Sequence, residues 1–148
     1  YGGGEDDLFW WLGYAWSEVE DATADGKFKR SWDQTHTGKI GFSWRWGAWN
    51  ISTAGEVHTG WPRTLIGTDI NSSRYSVFHT LDARVSRDFD LRRGSLTAFL
   101  EVTNLYDRNN PCCTEYSVRA GPGGADELVA AEKYWLPIVP SLGVVWRF

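Results

Sequence analysis

Six stretches of this sequence place apolar residues at alternate positions, and that periodicity limits the fold more than any other feature. Successive side chains of a strand point to opposite faces, so a period of two gives a strand one apolar and one polar face. In Leu8 to Ser17 the large residues are Leu8, Trp10, Leu12, Tyr14 and Trp16, and Gly13, Ala15 and Ser17 between them are small. Phe9 and Trp11 blur the start of that run. The second run sets Gly38, Ile40, Phe42, Trp44 and Trp46 against Thr37, Lys39, Gly41, Ser43 and Arg45. The third interleaves Trp49, Ile51, Thr53, Gly55 and Val57 with Asn50, Ser52, Ala54, Glu56 and His58. Val77, Leu81, Ala83 and Val85 make the fourth, and Leu96, Ala98, Leu100 and Val102 the fifth. The sixth is Leu142, Val144, Trp146 and Phe148. The expected fold is all-β, an antiparallel up-and-down meander of these six strands.

The connections alternate in length. Asp21 to Arg30, Gly60 to Arg74 and Tyr106 to Val139 are long, whereas Trp46 to Ala48 and Asp88 to Gly94 are tight. All the long loops therefore fall at one end of the strands. Long loops at one end, an apolar face and aromatic residues near its borders are the pattern of an outer-membrane barrel. Within the longest loop, Gly121-Pro122-Gly123-Gly124 breaks the chain, and Asp126 to Lys133 is expected to form a short helix.

Composition narrows the function. The chain has 148 residues, enough for one ordinary domain, and no run nears the roughly 18 apolar residues a membrane-crossing helix needs. A net charge of −4, from 15 basic and 19 acidic residues mixed along the chain, argues against nucleic acid as a partner. The start, Tyr1 to Asp7, has no signal-peptide pattern and no initiating Met, so the chain is expected to be a segment of something longer. Ser, His and Asp have no nucleophile-elbow framing, so an enzyme is not expected. His36, His58 and His79 lack partners at metal-ligand spacing, and neither a metal nor a cofactor is expected.

Several segments resemble the C-terminal end of TonB-dependent outer-membrane receptors. They are Arg30-Ser31-Trp32-Asp33-Gln34-Thr35-His36, Gly60-Trp61-Pro62, Leu81-Asp82-Ala83-Arg84-Val85, Phe99-Leu100-Glu101-Val102-Thr103-Asn104-Leu105 and Pro140 to Phe148. The resemblance implies that residues 1–148 are the C-terminal portion of a receptor β-barrel, with the plug domain and the N-terminal strands absent. It implies the outer membrane of a Gram-negative bacterium, tight turns on the periplasmic side and long loops outside. It also implies energised uptake of a scarce ligand: a ferric siderophore, whose iron travels inside the chelate, a vitamin or an oligosaccharide. The implied partners are outer-membrane lipid, the remaining barrel strands and plug, the TonB energy-coupling protein through the absent N-terminal region, and the outer-membrane assembly machinery. Val144, Trp146 and Phe148 look like the terminal signal which that machinery reads.

On this topology the even positions of runs one, two, five and six, and the odd positions of three and four, meet lipid. Lys39, Arg45, Glu56, His58, Asp82, Arg84, Glu101 and Arg147 then face the lumen, to guide ligand or touch a plug, or simply to satisfy one another in a watery interior. Trp32, Trp61, Tyr116, Tyr134 and Trp135 lie in or beside the loops, where they either stack on a sugar or aromatic chelator or form an interfacial girdle. Cys112 and Cys113 allow a vicinal disulfide, two free thiols or bonds to cysteines elsewhere. The basic cluster Lys27, Lys29 and Arg30 would sit at the outer surface, either beside anionic lipopolysaccharide heads or, more simply, as a solvated turn. The competing function is a soluble aromatic-rich β-domain that binds carbohydrate, which requires the apolar face to be covered by a second sheet.

Overall fold

The computed structural model describes residues 7–24 and 26–148; the Tyr1 to Asp6 part of the N-terminal reading lies outside them. The strands are β1 (Asp7–Trp16), β2 (Glu20–Thr23), β3 (Gly26–Lys29), β4 (His36–Trp46), β5 (Trp49–His58), β6 (Pro62–Arg63), β7 (Ser73–Arg74), β8 (Phe78–Asp90), β9 (Ser95–Thr103), β10 (Pro111–Ala120), β11 (Asp126–Tyr134) and β12 (Val139–Arg147). Six of them form one antiparallel sheet in the order β1-β4-β5-β8-β9-β12. These are the six periodic runs, each paired with its neighbour in sequence. The sheet is not closed: β1 and β12 each have a neighbour on one side only.

The register stacks the apolar positions of all six strands on one face. One row across the sheet reads Leu8, Trp44, Ile51, Val85, Leu100, Leu142, and the next reads Trp10, Phe42, Thr53, Ala83, Val102, Pro140. A one-residue slip in any pair would turn a whole strand over, so the two-faced pattern pins the register. No other element packs on this face among the described residues. Among the described residues no hydrophobic side chain is buried, and Leu142 is 83% exposed. The second sheet that a soluble reading requires is absent among the described residues, where the other ladders are two-stranded hairpins and bridges.

The tight connections lie at one end. Gly47, with φ 56°, opens the two-residue turn between β4 and β5, a backbone region glycine enters freely. Strand β8 runs on to Asp90, so the other tight turn is shorter than the expected Asp88 to Gly94 and is closed by a Leu91 N–H to Gly94 O bond of 3.1 Å. One of the two aromatics that blurred the first run, Trp11, finds a physical role here. Trp11 lies over Gly41, its neighbour across β1 and β4, and an added Cβ on Gly41 would sit 2.1 Å from the indole nitrogen. Phe99 covers Gly143 in the same way on β9 and β12, with the Arg84 guanidinium 3.9 Å above its ring. Large rings on the polar face thus fill the gaps that glycines leave in the facing strand.

The expected helix at Asp126 to Lys133 is a correction. These residues form strand β11, paired with β10 from Pro111↔Tyr134 to Ala120↔Asp126. A helix of some eight residues has too few hydrogen bonds to offset its nucleation, whereas a preceding strand offers a partner for every second backbone group. Gly123 and Gly124, at φ 87° and 80°, supply the hairpin turn.

Candidate functional site

The three long connections gather at the other end of the sheet and are bonded to one another. The first runs from Ser17 to Thr35 and carries the β2–β3 hairpin. Its anchor is Asp33, whose side chain is fully buried; it accepts from Val19 N at 2.9 Å, Thr35 Oγ1 at 3.0 Å and Arg74 Nη2 at 2.5 Å. Arg74 also donates to the carbonyls of Asp33 and Gly60, and so ties the first connection to the second. Burial pushes the Asp33 carboxyl upward, but the hydrogen bonds from Arg74, Val19 and Thr35 and the charge of Arg74 outweigh it and hold the carboxyl below its ordinary value. Asn71, at φ 53°, adds a second tie through Lys29 O at 2.7 Å. In the expected basic turn, Lys29 pairs with Glu18 and Glu20, and Arg30 pairs with Asp21.

The third connection is pinned at its base by two buried asparagines. Asn104, 3% exposed at φ 52°, donates through Nδ2 to Arg108 O and Leu136 O and accepts from Arg108 N. Asn110, 2% exposed, accepts from His79 N and donates to His79 O. Above this base, Arg63 Nη1 reaches Glu132 at 2.5 Å, Tyr75 and Thr114 share a hydrogen bond of 2.9 Å, and the Tyr116 hydroxyl donates to Thr64 O at 3.3 Å. The second connection is therefore held on both sides.

Where the connections meet they wall a depression of about 370 Å³ lined by Trp32, Trp61, Arg63, Tyr75, Tyr116 and both cysteines, among others. Trp61 is its hub. Trp32 and Trp135 meet it edge-on at 4.7 Å and 5.9 Å between centroids, and His58 lies tilted against it at 5.0 Å. Trp32 sits at φ 72°, a region that bulky residues enter at a cost of about 1–3 kcal/mol when the surroundings impose it. Arg63 lies 4.8 Å over the Tyr75 ring. Among the described residues, Trp61 Nε1 and Arg63 Nε are buried without a hydrogen-bond partner, each at a cost of about 1–3 kcal/mol. The depression thus offers flat apolar rings beside one guanidinium.

Of the loop aromatics read from sequence, Trp32, Trp61 and Tyr116 line the depression and Trp135 joins through Trp61, while Tyr134 ends β11 outside it, 51% exposed. Sequence reasoning missed Tyr75, Arg63, Asp33, Arg74, Asn71, Asn104 and Asn110. The asparagines carry a usable signal, since Asn is enriched at positive φ and in turn-forming side-chain bonds.

Lys39, Arg45, Glu56, His58, Asp82, Arg84, Glu101 and Arg147 all lie on the polar face of the sheet. Lys39 pairs with Glu56 at 3.4 Å and Arg84 with Glu101 at 3.1 Å, each directly across a ladder. Asp82 accepts from Asn104 N at 2.9 Å and serves the loop base. Arg45 stands opposite Asn50 and Arg147 opposite Ser95. His58 departs from the expectation of a watery setting: it is 3% exposed and stacked on Phe78 at 4.5 Å, because the second connection folds Trp61 over the strand end. Val144, Trp146 and Phe148 sit at the free end of β12, with Phe148 97% exposed.

Cys112 and Cys113 are free thiols, so the vicinal bridge among the sequence alternatives is not formed. Among the described residues no three His, Cys, Asp or Glu side chains gather to hold a metal ion. Comparison with protein-family models, with curated proteins and with solved structures gives no match in any of the three.

Proposed function

We propose that this chain is wall and outer loop of a transmembrane β-barrel of the TonB-dependent receptor type, taking up a scarce ligand from outside a Gram-negative outer membrane. The observation that carries the reading is the uncovered apolar face and the order of residues within it. Its middle rows are dominated by aliphatic residues and aromatic rings, such as Leu12, Ile40, Leu81, Leu100 and Leu142. At the tight-turn border stand Trp46, Trp49, Phe89, Trp146 and Phe148. At the loop border stand Trp16 and two hydrogen-bonded pairs, Tyr14 with His36 at 2.8 Å and Tyr106 with His79 at 2.6 Å. Aromatic and polar-tipped borders around an apolar middle suit the two faces of a bilayer.

The height supports the same reading. From His36 to Trp46, β4 advances ten steps, about 33 Å at ~3.3 Å per residue and about 25 Å in projection at a tilt of ~40°. That matches the apolar band of such barrels. Free edges on β1 and β12 belong with this view, because unpaired N–H and C=O groups in hydrocarbon each cost several kcal/mol and call for further strands. In the family the segments resemble, a plug and an inner-membrane energy-coupling protein complete the transporter; here the loops would capture ligand at the Trp32–Trp61 depression, and a ring-bearing chelate or a sugar suits its walls. The charged pairs of the polar face would line the watery lumen, and Phe148 would serve assembly.

Fluorescence with lipid-borne quenchers tests the proposal. Reconstituted in vesicles, the chain should lose to bromines placed near the lipid headgroups the part of its Trp emission that comes from Trp16, Trp46, Trp49 and Trp146, four of its ten tryptophans. Full solubility without detergent and emission indifferent to brominated lipid would overturn it.

A further inference from the structure

Adjacent residues of a regular strand point to opposite faces, so neighbouring cysteines in a strand are normally held apart. Cys112 and Cys113 sit at the one irregularity of their ladder: Pro111 faces Tyr134 and Cys113 faces Lys133, which leaves Cys112 as the extra residue of a bulge. Bulges re-aim side chains. Both cysteines line the loop depression. Their surroundings differ: Cys113 is exposed, while Cys112 is partly covered.

We propose that Cys112 and Cys113 are a redox pair that small-molecule disulfides convert into an intramolecular disulfide, in the wall of the depression. This inference rests on the bulge and stands whether or not the sheet enters a membrane. In the first step the Cys113 thiolate attacks one sulfur of the incoming disulfide, forming a mixed disulfide and releasing one thiolate. In the second, Cys112 gives up its proton to solvent and attacks Cys113 Sγ, forming the protein disulfide and expelling the second thiolate. Two protein thiols are oxidised and one external disulfide is reduced to two thiols.

The electrostatics favour this order of attack. Burial first, then the hydrogen bond and charge of Cys113, push the Cys112 thiol up, which suits the resolving role. Lys133, across the ladder from Cys113, is held protonated chiefly by its hydrogen bond to Glu115 and by that carboxylate's charge, with a smaller contribution from Cys113. Cys113, the exposed one of the two, is the sulfur an incoming disulfide reaches first.

The test treats the full chain, folded in detergent, with oxidised glutathione and follows intact mass and maleimide uptake. The expected product is a monomer lighter by about 2 Da that takes up no maleimide, against two maleimides for the reduced chain. Cys112→Ser should stop at the glutathione adduct on Cys113. The folded chain should close faster than the chain in urea, a difference that adjacency in sequence alone would not produce. A stable adduct or a disulfide-linked dimer from the unsubstituted chain, or equal rates folded and unfolded, would overturn the proposal.

Discussion

Replacing Leu142 by Arg separates a lipid-facing sheet from a water-facing one. Leu142 is 83% exposed, so very little packing is lost by removing it. In water an Arg at such a position should change stability by no more than about 0.5 kcal/mol. If the apolar face meets hydrocarbon the sum is different. Leu142 stands four residues from Trp146 at the tight-turn border, about 13 Å along β12 and about 10 Å in depth at a tilt of ~40°, close to the middle of a ~25 Å band. Arg near the middle costs about 2–4 kcal/mol, roughly a thirtyfold to nearly thousandfold shift in the folding equilibrium. Val145→Arg, three residues along on the polar face, is the control and should cost under about 1 kcal/mol. Equilibrium unfolding in phospholipid vesicles, followed by Trp emission, measures both. Equal effects at the two positions, or a Leu142→Arg change below about 0.5 kcal/mol, would refute the assignment of that face.

The loop end gives two further expectations and the sheet a third. Because the folded Asp33 carboxyl lies below its ordinary value, its contribution is fully present above about pH 4 and is lost as pH falls through the lowered value. Hydrogen exchange of residues 17–35 should therefore quicken in that acid window, and Asp33→Asn should flatten the dependence. Asn104→Gly keeps the positive φ but removes three side-chain bonds, and should cost about 1–3 kcal/mol. Asn104→Ala should cost about 1 kcal/mol more through backbone strain, with limited proteolysis of 104–138 as the readout. Gly41→Ala should destabilise the sheet by about 1–3 kcal/mol by colliding with Trp11. Trp11→Ala in the same chain should rescue part of that loss in a double-mutant cycle, and additive effects would show that the ring does not depend on the glycine.

The polar-face pairs Lys39–Glu56 and Arg84–Glu101 are partly exposed, and such pairs contribute about 0–1 kcal/mol each in water. Their arrangement directly across ladders satisfies charge rather than holding the sheet together. Cohesion comes from the backbone ladders, with Trp11 and Phe99 filling the spaces over Gly41 and Gly143.

By itself the sequence determined the six strands, their order, and which side chains share a face. Alternation is a local property, and each strand pairs with the next periodic run along the chain, through a short or a long connection. Lys39, Glu56, Arg84 and Glu101 could be placed on one face from parity alone, whereas the Leu8 to Leu142 row needed the register of the ladders. Only the tertiary structure decided the loop end. Asp126 to Lys133 has no strong period and took its strand from its partner β10. Asp33 meets Arg74, and Tyr75 meets Thr114, across separations of 41 and 39 residues that no local pattern encodes. The bulge at Cys112 is a register event between strands, and His58 is buried because Trp61 folds over it. Periodicity is written along one segment, whereas a cluster of loops is made where several segments meet, so the sheet of this molecule was legible in advance and its loop end was not.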